Sequence, residues 1–403
     1  MNDRCNANYR RRQAGLLPAL FVVLVSGISL LRGQSDDGLI FPYRSEHTHS
    51  SSIIQTPGGN LLACWYAGSG ERRANDVRIE GAVRSSGPDG NWSAPFILVD
   101  TPNLPDCNPV LFRDRLDRIW LFWVVPIANR WENSVLKYRR ASSCDESGRP
   151  VWDWQDSIHL TPGPEFVEHL RNGFRQLGHN EDLWAEYALP YSRLLVQAAE
   201  DPYKRQTGWM TRNHPLTLSG GRIVLPLYSD GFNVSMTAYS DDDGETWSTG
   251  APIVGLGPIQ PSVVADSDGN LTAFMRDSGG APARILVSHS HDKGLSWTPA
   301  TDSSMPNPGS SMEVVSDGAG NWIMIYNRSE TSRNNLWLAV SDDQGQSWKD
   351  VRELESGDSF PDARYSYPSM ILADGRLHMT WSVAGPKGES IRHKSMAWPA
   401  SGN

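Results

Sequence analysis

An eight-residue pattern, Ser-x-Asp-x-Gly-x-(Thr/Ser)-Trp, occurs three times at almost constant spacing. It runs through Ser240, Asp242, Gly244, Thr246 and Trp247, then Ser290, Asp292, Gly294, Ser296 and Trp297, then Ser341, Asp343, Gly345, Ser347 and Trp348, with starts 50 and 51 residues apart. A period of about 40–50 residues with a hairpin signal inside it marks a propeller blade. The Asp and Ser side chains can accept turn N–H groups, Gly supplies a backbone angle closed to other residues, and Trp fills the space between neighbouring sheets. The pattern therefore reads as a folding device rather than as a catalytic one.

Six segments share a second signature, a turn followed by an apolar and aromatic strand: Gly59–Tyr66, Leu116–Val124, Gly220–Tyr228, Gly269–Met275, Gly320–Tyr326 and Gly375–Trp381. Together with 16 Trp, 36 Gly and 27 Pro in 403 residues, they predict an all-β, six-bladed β-propeller with its ring closed across the termini. One segment breaks the rhythm, about 165–206 between the second and third blades. Phe166, Leu170, Phe174 and Leu177 recur there at helix-like steps, so a partly helical insertion is expected, either a lid or a packed rim element.

Arg4, Arg10, Arg11 and Arg12 precede an apolar stretch from about Leu16 to Leu31. This is the order of a signal peptide or signal anchor, placing the leader at 1–34, the propeller at 35–403 and the protein outside the cytoplasm, with anchoring through the apolar segment as the alternative. After the leader only Cys64, Cys107 and Cys144 remain, too few for a disulfide scaffold and without metal-ligand spacing. The net charge of −9, with no basic tract, argues against nucleic acid and requires a local basic pocket for any anionic polymer. The chain is expected to act as a monomer without cofactor or metal; the acidic turn Ser240–Gly244 could hold calcium, but its Asp residues are expected to serve the turn.

Aligned on their turns, the six blades place a polar residue at the start of each innermost strand: His49, Asn108, His214, Gln260, Ser311 and Tyr367. Equivalent positions in rotated blades face one axis, so all six are expected to line one funnel, where propellers bind ligands.

Over roughly Pro42 to Lys394 the chain resembles the sialidase (neuraminidase) superfamily, most closely its bacterial neuraminidase-like branch of BNR-repeat, or Asp-box, proteins. The resemblance implies a glycoside hydrolase with a Tyr nucleophile activated by Glu, an Asp acid/base, and three Arg that clamp a sugar carboxylate. Position by position it implies Tyr367 as nucleophile, Asp76 as acid/base, and Arg276 and Arg333 as two members of the clamp. His49 stands where the first Arg belongs and Gln260 where the Glu belongs; Gln cannot accept a proton. Glu313 is a candidate replacement carboxylate if it points inward. The catalytic set is thus Tyr367, Asp76, His49 and Gln260, and the substrate-binding set Arg276, Arg333, His214, Asn108, Ser311 and Glu313.

Three functions remain open. The first is a secreted sialidase-like exo-glycosidase acting on an acidic glycan. The second is a propeller lyase or glycosidase using His49, His214 and Tyr367 on uronic-acid glycans, with His as proton carrier. The third is a non-catalytic carbohydrate-binding propeller.

Overall fold

The computed structural model describes residues 38–86, 90–178, 191–357 and 362–398; the leader expected at 1–34 lies outside the described residues. Six small antiparallel sheets follow one another around a ring, five of four strands and a last of three. Blade I runs from His47 to Val99, blade II from Cys107 to Ser157, blade III from Leu216 to Thr249, blade IV from Pro258 to Pro306, blade V from Glu313 to Glu355 and blade VI from Arg364 to Ala397. Second strands such as Leu61–Gly68 and Ile119–Pro126 are buried along their whole length, because both of their faces meet neighbouring sheets.

The sixth sheet gains its outer partner from the other end of the chain. Ile40 N donates to Ile391 O at 2.8 Å, Arg44 and Glu389 exchange both backbone bonds at 3.0 and 2.8 Å, and Ser390 Oγ donates to Phe41 O at 2.6 Å. The ring is closed across the termini, as the repeat reading requires, and an edge that would otherwise be free is paired.

Each Asp-box turn is shaped by bonds within its own few residues. In the first, Ser240 Oγ accepts from Gly244 N at 2.8 Å, while Asp242 accepts from Thr246 N at 2.9 Å and Thr246 Oγ1 at 2.6 Å. Gly244 has a φ of +87°, and a Cβ on it would lie 2.5 Å from the Trp120 ring of the preceding blade. Glycine is demanded twice, by the turn and by the close approach.

The insertion is helical, with helices α1 (Glu165–Leu177), α2 (Tyr191–Ala199) and α3 (Pro202–Gln206). Phe166 and Leu170 are buried as the periodicity predicts, while Phe174 and Leu177 are partly buried against the same core. Phe166 packs edge-on against Trp209 and Phe232, at 5.8 and 5.4 Å. No described residue of these helices lines the axial cavity. The rim reading fits, with the helices bracing the loop that carries Phe232.

Candidate active site

Four blades start their innermost strand with the same irregularity. Between His49 and Ser52, Cys107 and Val110, Ile259 and Ser262, and Ser366 and Ser369, two residues oppose one on the second strand. The first residue of each bulge has a positive φ: Ser50 at 61°, Asn108 at 51°, Gln260 at 54° and Tyr367 at 54°. A bulge re-aims a side chain that a regular strand would direct into the sheet, and a positive φ on a non-glycine residue costs on the order of 1–3 kcal/mol. Such strain is kept where the surrounding packing enforces it, and functional sites are where it concentrates.

Asn108, Gln260 and Tyr367 consequently converge on a cavity of about 380 Å³ at one end of the axis, together with His49, Tyr66, Glu71, Tyr228, Asp230, Arg276 and Arg333. Its centre is the Tyr367 hydroxyl. Arg276 Nη1 donates to it at 3.0 Å and Gln260 Nε2 at 3.1 Å. Asn108 Nδ2 and Gln260 Nε2 donate to the neighbouring Tyr228 hydroxyl at 3.1 and 3.4 Å. Arg333 faces Tyr367 with its guanidinium carbon 5.9 Å from the ring centre, and is tied to Gly309 O at 2.5 Å.

Tyr367 also meets a residue that the sequence reading did not single out. Arg212 is fully buried; its guanidinium lies 4.9 Å from the Tyr367 ring centre and donates to Pro368 O at 2.8 Å and Ser51 O at 3.3 Å. Arg212 thus grips the bulges of blades I and VI. Glu313 is the charge that acts most strongly on it; burial raises the Glu313 pKa, but His214 and Arg212 outweigh that and favour its carboxylate.

The six expected funnel residues divide. His49, Asn108, Gln260 and Tyr367 line the cavity, with Arg276 and Arg333 beside Tyr367. His214 and Ser311 do not. Blade III opens with five residues opposing three, between the Met210–Tyr228 and Leu216–Val224 pairs, where blades I, II, IV and VI oppose two to one. The longer bulge carries Arg212 and Asn213 to the axis and sends His214 onward to a separate cavity of about 520 Å³ with Leu216 and Met370. Ser311 is buried 3.5 Å from Asn213 Oδ1. Even His49 sits one position ahead of its blade's bulge, which Ser50 occupies, and reaches the site with its ring tilted against that of Tyr367, centres 4.2 Å apart.

Glu313 points inward but into the core. One oxygen accepts from His214 Nδ1 at 2.7 Å and from His214 N at 3.2 Å, and the other from Met370 N at 2.5 Å. It does not line the cavity. Asp76 lies on the exposed rim, accepting from Ser69 Oγ at 2.9 Å and Ser69 N at 3.2 Å, bonds that lower its pKa. The carboxylate of the same loop that does line the cavity is Glu71, 3.2 Å from the Tyr66 hydroxyl. The loop length around Asp76 was legible; which of its two acids turns inward was not.

The electrostatics separate the titratable walls. Burial, then His47, Arg333, Arg212 and Arg276, push the His49 imidazole well below its usual pKa, so it is neutral at physiological pH. Burial followed by Glu71 raises Tyr66 well above the usual phenol range, and burial followed by Asp230 does the same for Tyr228. Both are proton-bearing hydrogen-bonding groups. The site therefore gathers cationic nitrogen around one phenol, with Glu71 and Asp230 also in its lining. Among the described residues no cluster of three or more His, Cys, Asp or Glu is placed to hold a metal ion.

Comparison with known proteins agrees with this architecture. The BNR repeat-like domain family matches residues 59–174 and 205–379. A sialidase of Micromonospora viridifaciens is 29% identical over 359 residues, covering 86% of this chain and 48% of that protein, and an anhydrosialidase of Macrobdella decora is 25% identical over 180 residues, covering 40% and 23%. The chain thus spans less than half the length of these curated relatives. Among solved structures, a mutant of the NanB sialidase of Streptococcus pneumoniae superposes with a TM-score of 0.64 at 10% identity, covering 89% of this chain and 70% of that one. A protein of unknown function from Dyadobacter fermentans gives 0.63 at 14%, covering 90% and 98%. With its repeats matched along both segments and its blades arranged as theirs, the chain belongs to the BNR-repeat family of the sialidase superfamily.

Proposed function

We propose that the protein is an exported, sialidase-like glycoside hydrolase that acts on an acidic sugar at the end of a glycan. The observation that carries this reading is the Tyr367 hydroxyl held by Arg276 at 3.0 Å and Gln260 at 3.1 Å, with Arg333 beside it, in an axial cavity. Arg276 and Arg333 would receive the sugar carboxylate, since a guanidinium offers a fixed fork to it. Tyr367 would face the anomeric carbon. Two N–H donors on its oxygen favour the developed phenolate, which offsets in part the missing base at Gln260. Glu71, rather than the rim acid Asp76, is the carboxyl group within reach of a leaving oxygen. The apolar leader supports export.

The test is a screen of α-sialosides and uronate-terminated oligosaccharides with wild type and Tyr367→Phe, reading released monosaccharide by mass and unsaturated product by near-ultraviolet absorbance. Released saturated acidic sugar that disappears in Tyr367→Phe supports the reading. An unsaturated product, or release that persists without the phenol, overturns it.

A further inference from the structure

The hairpin that carries His49 to the active cavity bears a second cavity at its other end. From His49 to Gln55 the innermost strand of blade I advances six residues, roughly 20 Å at about 3.3 Å per residue. There, in the seam between blades I and VI, a cavity of about 380 Å³ opens, as large as the one around Tyr367. Arg84, at the end of the third strand of blade I, and Arg376, at the start of the second strand of blade VI, flank it; Gln55, Asp374, His378 and Ser395 complete its polar lining.

Its charges are unbalanced. Arg84 takes part in no ion pair among the described residues, and Arg376 donates to Ser395 Oγ at 3.0 Å. Asp374 accepts from Gln55 Nε2 at 2.5 Å, leaving further lone pairs of its carboxylate to face the cavity. On the floor, His378 stacks on His393 with ring centres 5.7 Å apart and Nδ1 3.4 Å from its partner's Nε2. Burial, then the charges of Arg376 and Arg84, hold His378 down to about 4, so the imidazole adds hydrogen-bonding capacity without adding charge.

We propose that this seam is a second glycan-binding site, in which Arg84 and Arg376 take the carboxylate of an acidic sugar while Asp374 and Gln55 bind its hydroxyls. The mixture of groups selects the class. A bare inorganic dianion would satisfy the two guanidiniums but would meet the Asp374 charge and leave that acceptor without a donor. A neutral sugar would leave both guanidiniums uncompensated. An acidic sugar presents a carboxylate and ring hydroxyls at once, as a small pocket with a few convergent polar groups requires. The lining alone sets this class, so the site stands whether or not the Tyr367 cavity turns such a glycan over. On a polymeric substrate, a site on the opposite face would hold the protein to the glycan while the axial cavity works on a chain end, which raises the local concentration of ends.

The test is a titration of the full chain followed by histidine side-chain NMR, with glucuronate and N-acetylneuraminate as probes and glucose and inorganic sulfate as controls. His378→Gln assigns the reporter signals. Both acidic sugars are expected to move the His378 and His393 signals in wild type and equally in Arg276→Ala, which touches only the axial cavity. In Arg84→Gln/Arg376→Gln the same titration should weaken by about tenfold or more, the loss expected for charge-assisted contacts. Gln keeps a polar side chain at the half-buried Arg84 and the exposed Arg376, and an unchanged melting temperature certifies the fold. Absence of shifts with either acidic sugar overturns the proposal, as do equal responses to glucose or sulfate, or retained affinity in the double variant. Loss of the shifts in Arg276→Ala would assign the binding to the axial cavity instead and would equally overturn it.

Discussion

The two ends of this propeller are made from the same hairpins but satisfy their polar groups by opposite means. At the Asp-box end the bonds that shape the turn are local: Ser341 Oγ accepts from Gly345 N at 2.7 Å and Asp343 from Ser347 N at 2.8 Å, each four residues on. At the cavity end every bond that matters crosses blades, from Gln260 to Tyr367, from Arg276 to Tyr367, from Arg212 to Pro368 and from Glu313 to Met370. A local turn folds wherever its few residues occur, so it can be repeated. A cross-blade network exists only when the ring has closed, so each member is single and its loss is felt by several others.

The largest effect that would separate the two ends is on turnover. Tyr367→Phe removes one oxygen from the centre of the network and keeps the ring against Arg212 and Arg333. Activity should fall roughly a thousandfold or more, as for loss of a nucleophile, with the melting temperature nearly unchanged. Residual activity within tenfold of wild type would place the chemistry elsewhere.

Stability gives the next contrast. Glu313→Ala strands the charge of Arg212 and the N–H groups of His214 and Met370 in a dry core, which should cost about 3–5 kcal/mol. Denaturant midpoints should show this against a much smaller loss for Asp242→Ala at the exposed turn. If the two losses match, the cross-blade network is no more cooperative than the turn.

How much of this was legible follows from the same distinction. The Asp boxes, the six strand repeats and the helical insertion are patterns within a few residues, so the fold could be read from them. The meeting of Tyr367, Arg276 and Arg333 in one cavity was also readable, because each sits in its own short context. The inward turn of Glu71 in place of Asp76, the extra residues that bring Arg212 rather than His214 to the axis, and the diversion of Glu313 into the core were not. These depend on bulge length and loop path, and a bulge that adds one residue moves every side chain after it to the other face. Pro109, Pro261 and Pro368, each directly after a bulge residue of positive φ, were the trace such bulges left in the sequence.

Charge removal at the cavity should sharpen the comparison on a smaller scale. Arg276→Ala takes away a donor to Tyr367 and one arm for a carboxylate, so catalytic efficiency on an acidic substrate should fall on the order of a hundredfold. Glu71→Gln should lose activity at least as severely, and Asp76→Asn less than about threefold, because the Asp76 carboxylate serves Ser69 at the rim. Steady-state kinetics on one released-sugar substrate would decide. A reversed order for Glu71 and Asp76 would mean that the loop rearranges when ligand binds.

The smallest effect lies in acid. Hydrogen bonds from the Thr246 hydroxyl and backbone hold Asp242 at about 2, and those from Ser347 hold Asp343 at about 2. Unfolded, both carboxylates titrate near the ordinary value of about 4. Because the folded pKa is the lower one, each contributes stability that is complete above about pH 4 and is lost as pH falls through about 2. Both groups are solvent-exposed, so screening keeps the contribution small. Glu313 has the same sign, lowered by His214 and Arg212 against its burial, but its protonation would also disturb the core. The Asp242→Asn/Asp343→Asn variant should therefore start slightly less stable than wild type at neutral pH and lose less on acidification. Urea midpoints at about pH 6 and about pH 2.5 should converge for the two proteins at the lower pH. Parallel shifts would show that the turn carboxylates carry none of the acid sensitivity, leaving it to the buried charges at the other end of the ring.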